Sequence, residues 1–251
     1  MITYEYPLNE RIRTLLRLEN LYDKTLVFAA GDDSKDHHVA LLALFDVVDV
    51  ASRADLKSDL LQELERQKAA LEALRHNPAV SEQVLDDVVA DIESAHEGLR
   101  KVPGKTGQHL RDNEWLMSIK QRTGIPGGVC EFDLPSYHYW LHQEAQKRKA
   151  DLVAWLQPML PISDALRIVL KLLRESGRPS PCAARAGVFQ HTPAGKLAQM
   201  LRLSIQLDVP CVPEISANKY ALNIRFVTPS SVHRPQLYEQ DVEFELTFCN
   251  L

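Results

Sequence analysis

The chain has 251 residues, 45% of them hydrophobic and 25% charged, with 29 Lys+Arg against 34 Asp+Glu and a formal net charge of −5. That balance excludes a disordered or fibrous chain, and its mild acidity argues against a nucleic-acid protein, which carries a strongly basic surface. The length accommodates one large domain or two small ones, either able to bury a core.

The first seven residues have no basic start, no apolar stretch and no small-residue cleavage site, so they do not read as a signal peptide. The longest unbroken apolar run, residues 39–45, has seven residues. A bilayer span needs about 18, so none is expected. Cys130, Cys182, Cys211 and Cys249 are far apart and form no CxxC. That spacing suits reduced thiols in a cytoplasm rather than a disulfide scaffold or a Cys-rich zinc site.

In chain order, Pro7 fits the first turn of a helix, and Leu8, Ile12, Leu15, Leu16, Leu18 and Leu21 mark its apolar stripe. Gly31-Asp32-Asp33-Ser34 ends it. Residues 39–50 are almost wholly apolar and predict a helix buried on most sides. Leu60, Leu64, Gln67, Leu71 and Leu74 then recur at 4-3-4-3 spacing, and Leu85, Val88, Ile92, Ala95 and Leu99 at 3-4-3-4. Joined at His76-Asn77-Pro78, the two stripes predict an antiparallel helical hairpin. One more helix is expected over 110–122, stopped by Gly124-Ile125-Pro126-Gly127-Gly128. Another is N-capped by Asp133 with Pro135 in its first turn and carries His138, Trp140 and His142. A last helix starts at Pro158 and runs through Leu173.

Residues 175–181 form a breaker-rich linker. Beyond it, residues 201–207, 220–226 and 242–248 alternate strictly between apolar and polar, as in antiparallel sheets wetted on one face, and a weaker strand spans 187–191. The expected fold class is α+β, with a helical bundle domain over 1–176 and a smaller antiparallel β domain over 177–251. Charge is segregated too. Residues 82–97 hold six acidic side chains and no Lys or Arg, whereas 100–122 hold six basic side chains against Asp112 and Glu114.

Catalytic signatures do not emerge. Gly104-Lys105-Thr106 has Leu99 where a P-loop needs its first glycine. His138 and His142, four apart, could hold zinc, but Tyr139 occupies the place of the glutamate in HExxH. Cys130 carries no feature that would activate its thiol. A metal- or Cys/His-dependent enzyme, or a nucleic-acid binder using 100–122, remain alternatives; no metal or cofactor is expected.

Several segments resemble one family. Residues 6–19, Tyr-Pro-Leu-Asn-Glu-Arg-Ile-Arg-Thr-Leu-Leu-Arg-Leu-Glu, are similar to the start of the ZapD family of Z-ring-associated cell division proteins. Ile125-Pro126-Gly127-Gly128, then Phe132-Asp133-Leu134-Pro135, then His138 and Trp140-Leu141-His142 resemble its central signature. Leu201-Arg202-Leu203-Ser204, Pro213-Glu214-Ile215-Ser216, Lys219 and Ile224-Arg225-Phe226 resemble its C-terminal part. The resemblance implies a helical domain followed by a β domain, and a homodimer that binds the C-terminal tail of FtsZ and bundles its filaments at the mid-cell ring. It implies no enzymatic activity and no cofactor; nucleic-acid binding and membrane insertion are not expected. Carried over position by position, it assigns tail binding to Arg17, Arg53, His138 and Arg225, with Arg111, Arg122 and Lys219 in support. Glu114 and Ala221 stand where relatives are expected to be basic.

Overall fold

A computed structural model describes residues 1–52, 55–75, 77–78, 80–192, 198–218 and 220–251. The fold is α+β, and its contacts define two compact units: Leu15–Val169, and Met1–Thr14 together with Leu170–Leu251.

In the helical unit, α1 (Glu10–Ala29) buries Leu15, Leu18 and Tyr22 along one stripe, and the Tyr22 hydroxyl donates to the Met159 carbonyl at 3.1 Å. The next helix, α2 (Ser34–Ala51), begins at Asp33, whose carboxylate accepts the Lys35 N–H at 2.7 Å. As its apolar run predicts, it is buried on most sides, from Ala40 through Val48.

The expected hairpin is formed by α3 (Leu56–Glu72) and α4 (Glu82–Lys101). Lys57 donates to the Val102 carbonyl at 2.6 Å, His96 meets Glu65 at 3.2 Å, Lys68 meets Glu93 at 2.6 Å and Arg75 meets Asp86 at 2.6 Å. Each step forward on α3 is a step back on α4, so the pair is antiparallel. Ion pairs this exposed contribute about 0–1 kcal/mol each. The hairpin therefore depends on its stripe, Leu60, Leu64 and Gln67 against Leu85, Val89, Ile92, Ala95 and Leu99. Val89 takes the buried place expected for Val88, and Leu74 lies exposed beyond the end of α3.

The single helix expected over 110–122 is two: α5 (Gln108–Arg111) and α6 (Glu114–Thr123). Asn113 interrupts them because its side chain accepts the Leu116 N–H at 3.0 Å and caps the new helix. Pro135 does open α7 (Pro135–Leu141), but Leu134 is its N-cap; Asp133 instead accepts from Arg122 at 3.1 Å. An additional helix, α8 (Ala145–Leu156), has no counterpart among the expected elements. It passes through a 3-10 turn, Gln157–Met159, into α9 (Leu160–Glu175), so Pro158 sits in that turn. By length and composition alone the stretch Ala145–Glu175 is long and apolar enough to cross a membrane, contrary to the reading from unbroken runs. Within this unit its Leu152, Leu156, Ile162, Ala165, Leu166 and Val169 are buried core residues.

The second unit holds two antiparallel sheets. One has the order β1 (Ile2–Pro7), β4 (Met200–Ile205), β8 (Val242–Cys249), β2 (Ser180–Ala184). In the other, β6 (Leu222–Thr228) lies between β3 (Val188–His191) and β5 (Val212–Ala217) and also pairs with β7 (Gln236–Leu237). Leu201, Leu203, Ile205, Val242, Phe244 and Leu246 from the first sheet meet Leu222, Ile224 and Phe226 from the second in one core. The Phe226 and Phe244 rings lie 5.1 Å apart.

Four strands fall outside the expected runs: the two-residue β7, and three that each contain a proline, Pro7, Pro181 and Pro213. All three lie on edge strands, where a missing N–H costs no ladder bond. Pro7 thus ends β1 rather than starting α1. Two alternating runs are also displaced. Tyr220 is exposed ahead of β6, where the Asn218 side chain accepts the Tyr220 and Ala221 N–H groups at 2.8 and 2.9 Å, and Leu207 is exposed after β4. At the end of β8 the alternation slips, with Thr247 and Cys249 buried and Phe248 exposed. The outer face there is covered by the end of α9, whose Arg174 carbonyl lies 4.0 Å from the Cys249 Sγ.

Adjacent residues on β6 give a test of this packing. Phe226→Ala, at a fully buried position, should cost about 3–5 kcal/mol. Arg225→Ala, on the exposed face, should stay within about 0.5 kcal/mol. Urea unfolding of the two variants checks both values.

Candidate binding surface

Of the seven residues assigned to tail binding, Arg53 and Lys219 lie outside the described residues. The other five occupy different local settings. Arg17 is exposed on α1 between buried Leu15 and Leu18. Arg225 is exposed on β6 between buried Ile224 and Phe226, opposite Val188 on β3 and Glu214 on β5. Both are charges held out by neighbours fixed in a core. Arg122 is exposed but bonded to Asp133, and half-buried Arg111 donates to the Thr106 carbonyl.

His138 lies on the solvent face of α7 with Tyr139 and, at the C-cap, His142. The opposite face anchors the helix. Tyr137 and Trp140 stack at 5.9 Å and meet Trp115 at 6.1 and 5.9 Å, and Trp155 lies 5.8 Å from Trp140. The polar tips are satisfied as well: the Tyr137 hydroxyl lies 2.7 Å from His38 Nδ1, and the Trp140 indole donates to Asp151 at 2.9 Å.

Beyond α7, buried Arg148 donates through Nη1 to the Leu141 carbonyl at 3.2 Å and to the Gln143 carbonyl. Its Nη2 reaches the Asp32 carbonyl at 2.7 Å and its Nε reaches His37 Nδ1 at 2.8 Å. His37 in turn donates from Nε2 to the Gly31 carbonyl at 2.8 Å. An arginine keeps its proton, so His37 must accept at Nδ1 and is neutral.

A cleft of about 1020 Å³ that no sequence pattern signals is lined by Arg111 and, among others, by Lys57, Lys105 and Lys120 against Asp49 and Asp55. Lys120 is paired with Asp49 at 2.9 Å. Lys105 and Lys120 belong to the basic run over 100–122, but Lys57 comes from the far side of the hairpin, and no sequence spacing joins it to them.

For the alternatives, His109 Nε2 donates to the Trp155 carbonyl at 2.8 Å rather than approaching His138, and Cys130 is half-buried. Among the described residues no group of three or more His, Cys, Asp or Glu is arranged to hold a metal ion.

Burial holds the His37 imidazole below its ordinary range; its bond to Gly31 opposes this and the Arg148 and Lys149 charges reinforce it. Burial likewise lowers His38. Unfolded imidazoles take up protons as the pH falls through about 6.5, while these folded ones resist. Their contribution to stability is therefore full above that pH and is lost as the pH drops toward the folded values. The urea midpoint read by tryptophan fluorescence should be lower at about pH 5.5 than at about pH 7.5; equal midpoints would contradict this anchoring.

A family model described as "ZapD: Cell division protein" matches residues 16–225. Among curated relatives, a "Cell division protein ZapD" of Azoarcus sp. (strain BH72) is 57% identical over 251 residues, covering 100% of both chains. Proteins with the same description from Aromatoleum aromaticum and Nitrosomonas europaea are 58% and 56% identical over all of this chain, covering 98% and 96% of their own length.

Proposed function

The chain belongs to the ZapD family of cell division proteins, and we propose that it acts as a non-enzymatic scaffold of the cytoplasmic division ring at mid-cell. In this reading it binds the C-terminal tail of FtsZ and, as a homodimer, ties filaments into bundles, with no cofactor, nucleic acid or membrane insertion involved. The observation that carries the reading is identity of 57% and 58% to curated ZapD proteins over the whole of this chain and 100% and 98% of theirs.

The chemistry suits it. A guanidinium grips a carboxylate through two parallel N–H···O bonds, and Arg17 and Arg225 are presented to solvent from rigid elements. One tail site cannot join filaments. A two-fold dimer duplicates every surface patch, and once one tail is held the second site meets neighbouring tails at high effective concentration. His138, Arg111 and Arg122, with Arg53 and Lys219, complete the proposed set.

Two outcomes are expected when FtsZ filaments are pelleted with the protein. Raising the ionic strength from about 0.05 to 0.5 M should strongly reduce co-sedimentation, since exposed ion pairs are screened; salt-independent pelleting would count against a basic surface. Arg225→Glu should keep the wild-type fold, because the side chain leaves the core untouched, yet weaken tail binding roughly tenfold. Normal pelleting of that variant would remove Arg225 from the site.

A further inference from the structure

The solvent face of α7 pairs His138, a member of the proposed tail-binding set, with His142, which is not. His138 and His142 are both exposed, stand four residues apart and hold their ring centres 4.3 Å apart. His142 Nδ1 lies 2.8 Å from the His138 carbonyl oxygen, which can only accept. The ring proton is therefore on Nδ1, and the Nε2 lone pair of His142 is left for another partner. Metal-binding histidines are ordinarily held in this way, with the second ring nitrogen donating to a carbonyl or carboxylate that fixes tautomer and orientation.

We propose that His138 and His142 form a two-point chelating site for a divalent transition-metal ion. Two imidazoles with the other positions open favour the ions that stand highest for nitrogen donors, and in the Irving–Williams order Ni²⁺ and Cu²⁺ stand above Co²⁺ and Fe²⁺, with Zn²⁺ below Cu²⁺ and drawn instead to closed tetrahedral sets. The ring centres, 4.3 Å apart, place both imidazoles within reach of one ion. The remaining coordination positions face solvent and are open to water or a carboxylate.

The anchoring of α7 by Tyr137, Trp140 and Arg148 holds the backbone of both ligands, so little ordering is needed on binding. Other histidines of the unit are differently employed. His37 spends both ring nitrogens on Gly31 and Arg148, and His109 is bonded to the Trp155 carbonyl. The site shares His138 with the proposed tail-binding set, but a metal titration in the absence of FtsZ reads it separately, and His142 belongs to the metal site alone.

Calorimetric titration of the full chain with NiCl₂ at about pH 7.5 tests it. One ion per chain should bind, more tightly than Zn²⁺ does, and His138→Ala and His142→Ala should each weaken binding at least about tenfold. Both substitutions are on an exposed face, and circular dichroism checks that helicity is kept. His191→Ala, on β3, should leave the titration unchanged. Wild-type affinity in the two α7 variants, equal loss in His191→Ala, tighter binding of Zn²⁺ than Ni²⁺, or no binding at millimolar metal would each overturn the proposal.

Discussion

One buried guanidinium organises the helical unit. Arg148 cannot shed its charge, so burial obliges the chain to supply acceptors from several directions. They come from carbonyls at and just after the end of α7, from the loop before α2 and from the ring of His37. A main-chain carbonyl is a fixed point, and a charge shared among three of them ties together segments more than a hundred residues apart. The position of α7, and with it the exposed row of His138, Tyr139 and His142, follows from that constraint and from the aromatic packing beneath.

The β unit reaches a similar result by different means. Apolar side chains of two sheets interlock, and alternation along a strand sends the intervening residue outward. Arg225 is fixed because Ile224 and Phe226 are. On the outer side of the other sheet, Arg174 donates to both oxygens of Glu5 at 2.8 Å, a charge pair spent within the unit. Four of the described arginines thus show two contrasting uses. Arg148 and Arg174 are consumed by structure, whereas Arg17 and Arg225 are held out from it.

Much of this was legible in the sequence where a pattern was long and repetitive. The hairpin stripes and the three alternating strands depend on periodicity, and periodicity survives in a single chain. The edge strands were hidden because proline reads as a breaker unless one knows which strands have a free side, and that is a property of the assembled sheet. Helix α8 was obscured by its charged, weakly periodic start, where Lys147, Arg148 and Lys149 stand together and Arg148 turns out to face inward. Arg225's exposure could be read from alternation. That Arg122 is engaged by Asp133, and that Lys57 shares a cleft with Lys105, could not, since both need the chain folded. The assignment of any residue to tail binding came from family resemblance rather than from local pattern.

The proposed bundling requires that the tail of the FtsZ subunit, and not the filament wall, be what the protein grips. Light scattering of polymerising FtsZ, with intact and with tail-deleted subunits, tests this most directly. Adding the protein should raise scattering strongly with intact subunits and leave it at the polymer baseline when the tail is missing. An equal rise in both would contradict it.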